Sequence, residues 1–192
     1  MNNPEFIPIE RYPHRCALDI VDNIMEYIKD KVVCDIGCGA GDLLEYIKLR
    51  NLCKEVKGIE IDPNRYVKDR EYIKFGDALH GFPDADVYLL WLTDDFPYED
   101  IFKQIKEEKI IIYMDGFEPN HEKLQKRINR LSLIESINYK YDEEKFVPKN
   151  ELADWKQNLM KMIRWRKANY PTHPNNWDPI GERMFKIYKY NP

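Results

Sequence analysis

Hydrophobic positions along this chain follow two spacings. Between residues 15 and 29 they fall at Leu18, Val21, Ile24, Met25 and Ile28, one stripe of an amphipathic helix. Asp30 and Lys31 then lead into a short apolar run, Val32 to Ile36, interrupted by Asp35 and followed by Gly37, Gly39 and Gly41. Helical spacing resumes with Leu43, Leu44, Ile47 and Leu52. Apolar run, glycine turn and helix predict the first strand–loop–helix of an open α/β sheet. Further strands are predicted over residues 56–61, 72–75, 86–93, 110–114, 133–141 and 183–190, with helices over 99–109 and 121–130. The run at 86–93 is the most continuous in apolar character, as suits a central strand covered on both faces.

One stretch exceeds what such a sheet needs. The last two strands could be joined by a few residues, yet residues 145–181 intervene. A helix is predicted over 149–168, with Leu152, Trp155, Leu159, Met162 and Ile163 as its apolar stripe. Lys156, Lys161, Arg164, Arg166 and Lys167 make its other face basic. The loop after it carries Tyr170, His173 and Trp177. Two readings stand side by side: a packed lid, or an element that recognises substrate. Residues 1–14, with three prolines, form an extended lead-in that places Arg11, Tyr12 and His14 just before the first helix.

Composition narrows the class. The chain has 192 residues, enough for one domain with a substantial core. No apolar run is long enough to span a bilayer, and the first residues lack the basic-then-apolar order of a signal peptide. Cys16, Cys34, Cys38 and Cys53 contain no Cys-x-x-Cys pair, so reduced thiols, a cytoplasmic location and no metal site are expected. A net charge of -4 argues against a whole-surface nucleic-acid binder.

The glycine turn separates two nucleotide-binding patterns. A dinucleotide fold calls for Gly-x-Gly-x-x-Gly. Here the spacing is Gly-x-Gly-x-Gly, with Asp35 two residues before the first glycine. That pattern resembles the first motif of the class I S-adenosylmethionine-dependent methyltransferases. Two later features fall in the same order. Glu60 ends the second strand about 20 residues beyond the turn, where a carboxylate accepts hydrogen bonds from ribose hydroxyls. Gly76-Asp77-Ala78 follows the third strand. The resemblance spans residues 30–115.

The resemblance implies a Rossmann-like α/β fold: a doubly wound, mostly parallel seven-stranded sheet in the order 3-2-1-4-5-7-6, helices on both faces, and the insertion before the last strand. It implies S-adenosylmethionine as methyl donor. Asp35 would anchor the glycine loop or the donor's amino group, and Gly37, Gly39 and Gly41 would shape that loop. Glu60 would hold the ribose, with Asp62 the alternative. Asp77 and Ala78 would meet the adenine. Trp91, Thr93, Tyr170 and Trp177 are candidates for contact with the acceptor, and Asp94, Asp95 and Asp115 are placed where a base would act. The Asn/Asp-Pro-Pro-Tyr/Phe signature of amino-group methylating enzymes is absent after the fourth strand. The acceptor is not identified. A small molecule or protein side chain is favoured, RNA is possible through the basic segment of the insertion, and a non-catalytic donor-binding protein of the same fold is the rival.

Overall fold

The computed structural model describes residues 15–90, 96–114, 118–140 and 182–192, together with Ala153 and Gln157 as isolated helical positions. Its sheet is built on β1 (Val32–Ile36), the run that ends at the glycine turn. β1 pairs in parallel with β2 (Glu55–Glu60) on one side and β4 (Val87–Leu90) on the other. β3 (Ile73–Phe75) adds beyond β2, and β5 (Lys109–Tyr113) beyond β4, both parallel. β7 (Glu182–Tyr190) enters antiparallel between β5 and β6 (Leu131–Lys140). The order is therefore β3-β2-β1-β4-β5-β7-β6, as expected.

Alternation along the strands divides the core into two layers. Val33, Val56, Val87, Leu89 and Ile112 face one side, where they meet Ile20, Val21, Ile24 and Ile28 of α1 (Arg15–Ile28) and Leu43, Leu44 and Ile47 of α2 (Asp42–Leu49). Cys34, Ile36, Ile59, Tyr88, Leu90 and Ile111 face the other, against α3 (Tyr98–Phe102) and α4 (Glu118–Arg127). Helices on both faces explain why β4 is apolar at every position: no side of it meets water.

Several boundaries differ from the periodicity. The helix expected over 99–109 ends at Phe102. Gln104 and Ile105 donate back three residues, to the carbonyls of Ile101 and Phe102, which tightens the chain into turns. Beyond buried Ile105, the exposed Lys106, Glu107 and Glu108 offer no apolar face to hold another helical turn, and Lys109 is already paired to Tyr190 in the sheet. Leu52 packs on the core from outside α2, which stops at Leu49. α4 starts three residues earlier than expected, with Pro119 in its first turn, where a missing N–H breaks no helical bond. The lead-in 1–14 and nearly all of the insertion 145–181 lie outside the described residues; within the predicted insertion helix, Ala153 and Gln157 are helical and exposed. Among the described residues, no helix is long and apolar enough to cross a membrane.

Candidate active site

The carboxyl ends of β1, β2 and β3 bring Asp35, the glycine loop, Glu60 and Asp77 to one edge of the sheet. This is where open α/β sheets bind ligands. The loop at residues 37–41 is fastened to β2 by its own backbone: Gly37 and Cys38 both donate to the carbonyl of Ile59, at 2.9 and 3.2 Å. Gly37, Gly39 and Gly41 all have positive φ, at 78, 58 and 80°. Their surroundings differ. A Cβ on Gly41 would run into the side chain of Ile73, whereas a Cβ on Gly39 would meet nothing within 4 Å among the described residues. Gly41 is thus a packing glycine as well as a turn glycine, and Gly39 faces open space at the site.

Glu60 is buried, 5% exposed, and both its oxygens are engaged. Oε2 accepts from the Gly39 backbone N–H at 2.6 Å, and Oε1 accepts from the Asp62 N–H at 2.7 Å. One carboxylate therefore ties the loop after β1 to the turn after β2. Two backbone donors leave it further acceptor positions, since an ionised carboxylate has about four. The Asp62 carboxylate is turned away into its own turn, accepting from the backbone and side-chain nitrogens of Asn64 at 2.9 and 3.0 Å.

Asp35 is buried, at 6% exposure, with no hydrogen-bond or ion-pair partner among the described residues. Burial, and secondarily the charge of Glu60 nearby, push its carboxyl up to about 7. Strand alternation and register explain the closeness: Asp35 pairs with Gly58, and Glu60 lies two residues beyond on the same face. Gly58 is a glycine because a Cβ there would come within 2.8 Å of both Cys38 Sγ and Leu44 Cδ1. Burial likewise pushes the Cys38 thiol up, so it sits in the loop as a neutral side chain.

Asp77 caps a 3-10 turn at Ala78–His80, its Oδ1 accepting from the Leu79 N–H at 2.9 Å. Ala78 is buried, and its carbonyl accepts from the Gln104 amide at 3.0 Å. Three large apolar side chains that follow β2 or flank Asp77 in the chain stay exposed: Ile61 at 58%, Phe75 at 50% and Leu79 at 37%. Phe75 is the register partner of Glu60, which places it at the edge that carries both acids.

Some residues of the site escape periodicity and motif. Arg70 donates through Nη1 to the Ala40 carbonyl and, at 2.9 Å, to Asp42 Oδ1, clamping the end of the glycine loop to the start of α2. Nothing in a charged connector foretells such a contact. Gly58 did carry a signal, since a lone glycine inside a strand marks a close approach of another chain segment. Trp91, Thr93, Asp94, Asp95, Asp115, Tyr170 and Trp177 lie outside the described residues.

Solved structures share this architecture. The chain is similar to a SAM dependent methyltransferase from Archaeoglobus fulgidus, at 17% identity and a TM-score of 0.55, over 94% of this chain and 96% of that one. Precorrin-6y C5,15-methyltransferase from Geobacter metallireducens aligns with 100% of this chain and 94% of its own, at 12% identity and a TM-score of 0.51. StiE O-MT residues 942–1257 align over 95% and 74%, at 16% identity and a TM-score of 0.55. The fold is that of the class I S-adenosylmethionine-dependent methyltransferases. No protein-family model matches the sequence, and no curated protein matches it. At such identities the likeness is one of fold, and what this methyltransferase-fold chain binds rests on its own residues.

Proposed function

We propose that this chain is an S-adenosylmethionine-dependent methyltransferase whose donor sits on the 37–41 loop. The observation that carries this reading is Asp35. An ionised carboxylate without a partner is costly to bury, so its place beside an open glycine loop calls for a cation, and the donor bears both an ammonium and a sulfonium. Gly39 supports the same reading, because no atom of the described residues lies within 4 Å of where its Cβ would project.

In this reading Asp35 holds the donor's charged methionine end, and the glycine loop lets backbone approach it closely. Glu60, already fixed by two backbone donors, presents its remaining lone pairs to the ribose hydroxyls. Asp77, with one oxygen in the cap, offers the other to the adenine amino group, and Ala78 contributes backbone. The exposed Ile61, Phe75 and Leu79 would cover the ring. The bound donor supplies a methyl group on a sulfonium, open to direct displacement by a nucleophile. The protein's share is then to position the acceptor in line and exclude water. Asp94, Asp95 and Asp115 are the candidate bases, and Trp91, Thr93, Tyr170 and Trp177 the candidate acceptor contacts. The acceptor we favour is a small molecule or protein side chain.

Ligand-dependent melting tests the donor assignment. S-adenosylmethionine and its demethylated product should each raise the melting temperature, by about 2.7 kcal/mol of added stability at 100 times Kd. NAD should not. A shift with NAD and none with either adenosyl compound would overturn the proposal.

A further inference from the structure

A second site lies at the opposite edge of the sheet, where β5 begins at Lys109 and pairs with Tyr190 of β7. There α3, the turn after it, the end of α4 and the end of β7 line an open depression of about 440 Å³. Its floor is apolar: Phe102, Ile105, Ile128 and Tyr190, all buried. The Phe102 and Tyr190 rings lie 4.9 Å apart, and the Tyr190 hydroxyl is satisfied by the Phe102 carbonyl at 3.0 Å, so the floor is rigid and asks for no polar partner.

The rim carries the side chains of Lys103, Lys106, Arg127 and Arg130 with the acidic side chain of Glu99, and Pro192 lines it as well. Two of these cations are already committed. Arg127 donates Nε and Nη2 to the two oxygens of Glu99, at 2.7 and 2.5 Å, and Lys103 pairs with Asp100 at 2.8 Å. The other two are not paired with a carboxylate among the described residues. Lys106 Nζ donates to a backbone carbonyl, that of Lys103, and the Arg130 guanidinium has no partner among the described residues. They approach from different walls, Lys106 from the turn after α3 and Arg130 from the turn after α4. A chain of net charge -4 thus gathers positive charge around an apolar hollow.

We propose that this depression binds a nucleoside phosphate, with the base on the apolar floor and the phosphate between Lys106 and Arg130. The volume suits a mononucleotide, since small-molecule sites start at about 300 Å³. Charge-assisted bonds from Lys and Arg are the usual means of holding a phosphate. A free nucleotide and the terminal nucleotide of a strand share this chemistry. The site stands apart from the donor loop, so the inference does not depend on the proposed activity.

The experiment is calorimetric titration of the full chain with uridine 5′-diphosphate, uridine, and a short 5′-phosphorylated oligouridylate. Uridine compounds avoid the adenosyl site proposed above. The diphosphate should bind saturably, with affinity falling as salt rises, and uridine should bind at least about tenfold more weakly. Lys106→Gln with Arg130→Gln should weaken the diphosphate by about 10- to 150-fold, as loss of charged hydrogen bonds does. The melting temperature should stay unchanged, because both side chains are exposed. Tighter binding of the oligonucleotide identifies a strand end as the ligand, and tighter binding of the diphosphate a free nucleotide. No saturable binding, equal affinity for uridine, or an unaffected double variant would each overturn the site.

Discussion

Asp35→Asn should make the ligand-free protein more stable and a poorer donor binder. The carboxyl of Asp35 is pushed from 3.8 to about 7, chiefly by burial and next by the charge of Glu60. A raised carboxyl pKa means that the folded state resists losing this proton. Its full contribution is present below the unfolded value near 3.8, declines as pH rises, and is gone above about 7. At about 1.36 kcal/mol per unit, the total penalty for ionising Asp35 in the fold is on the order of 4 kcal/mol. Roughly 2–3 kcal/mol of it falls between pH 5 and pH 8. Asparagine does not ionise, so the variant escapes this pH-dependent penalty. Urea denaturation of both proteins at the two pH values gives the answer, because groups shared by both cancel in the difference. The variant's advantage should grow by roughly 2–3 kcal/mol from pH 5 to pH 8, or about 5–10 °C in melting temperature for a chain of this length. Donor affinity should fall by about 10- to 150-fold, since a charged partner is lost. Donor binding to the wild type near pH 7 should also release protons, seen as a dependence of the binding heat on the buffer's ionisation enthalpy. A stability difference that stays constant between pH 5 and pH 8 would refute the argument, because Asp35 would then be ionised at little cost.

The glycines of the loop should separate by role. Gly39→Ala meets no atom of the described residues and costs only the left-handed backbone, about 1–2 kcal/mol, yet its methyl would enter the proposed donor space and should weaken S-adenosylhomocysteine binding; Gly41→Ala adds a collision with Ile73 and should destabilise more, as denaturant midpoints would show. Arg70→Ala removes the clamp on the Ala40 carbonyl and Asp42, and should cost about 1–3 kcal/mol of stability and weaken the donor, with added salt restoring neither. Glu60→Ala frees the Gly39 and Asp62 N–H groups together, so calorimetry and melting should both register it; loss of donor affinity with an unchanged melting temperature would mean that the two bonds contribute nothing to the fold.

How much of this was legible in the chain depends on the range of the interaction involved. Strands and helices declared themselves through spacing, because burial acts on side chains at fixed intervals along one element. Val32 to Ile36 and the apolar run over 86–93 are legible that way; the first is β1, and within the second Val87–Leu90 is β4, residues 91–93 lying outside the described residues. The seven-stranded order came from the family resemblance, since periodicity says nothing about which strand neighbours which. Element ends were less legible: α3 stops at Phe102 because Lys109 must already be in the sheet, a demand made by β7 rather than by the local charges. The acids at 35, 60 and 77 were readable as types and spacings, but their physical states were not. That Asp35 lacks a partner among the described residues while Glu60 holds two follows from the pairing of β1 with β2, which sets both carboxylates on one face and lays the loop across Glu60. Arg70, Gly58 and the cationic depression between α3 and α4 arise from segments far apart in the chain, where only tertiary packing decides which side chains meet and which charges are left uncompensated.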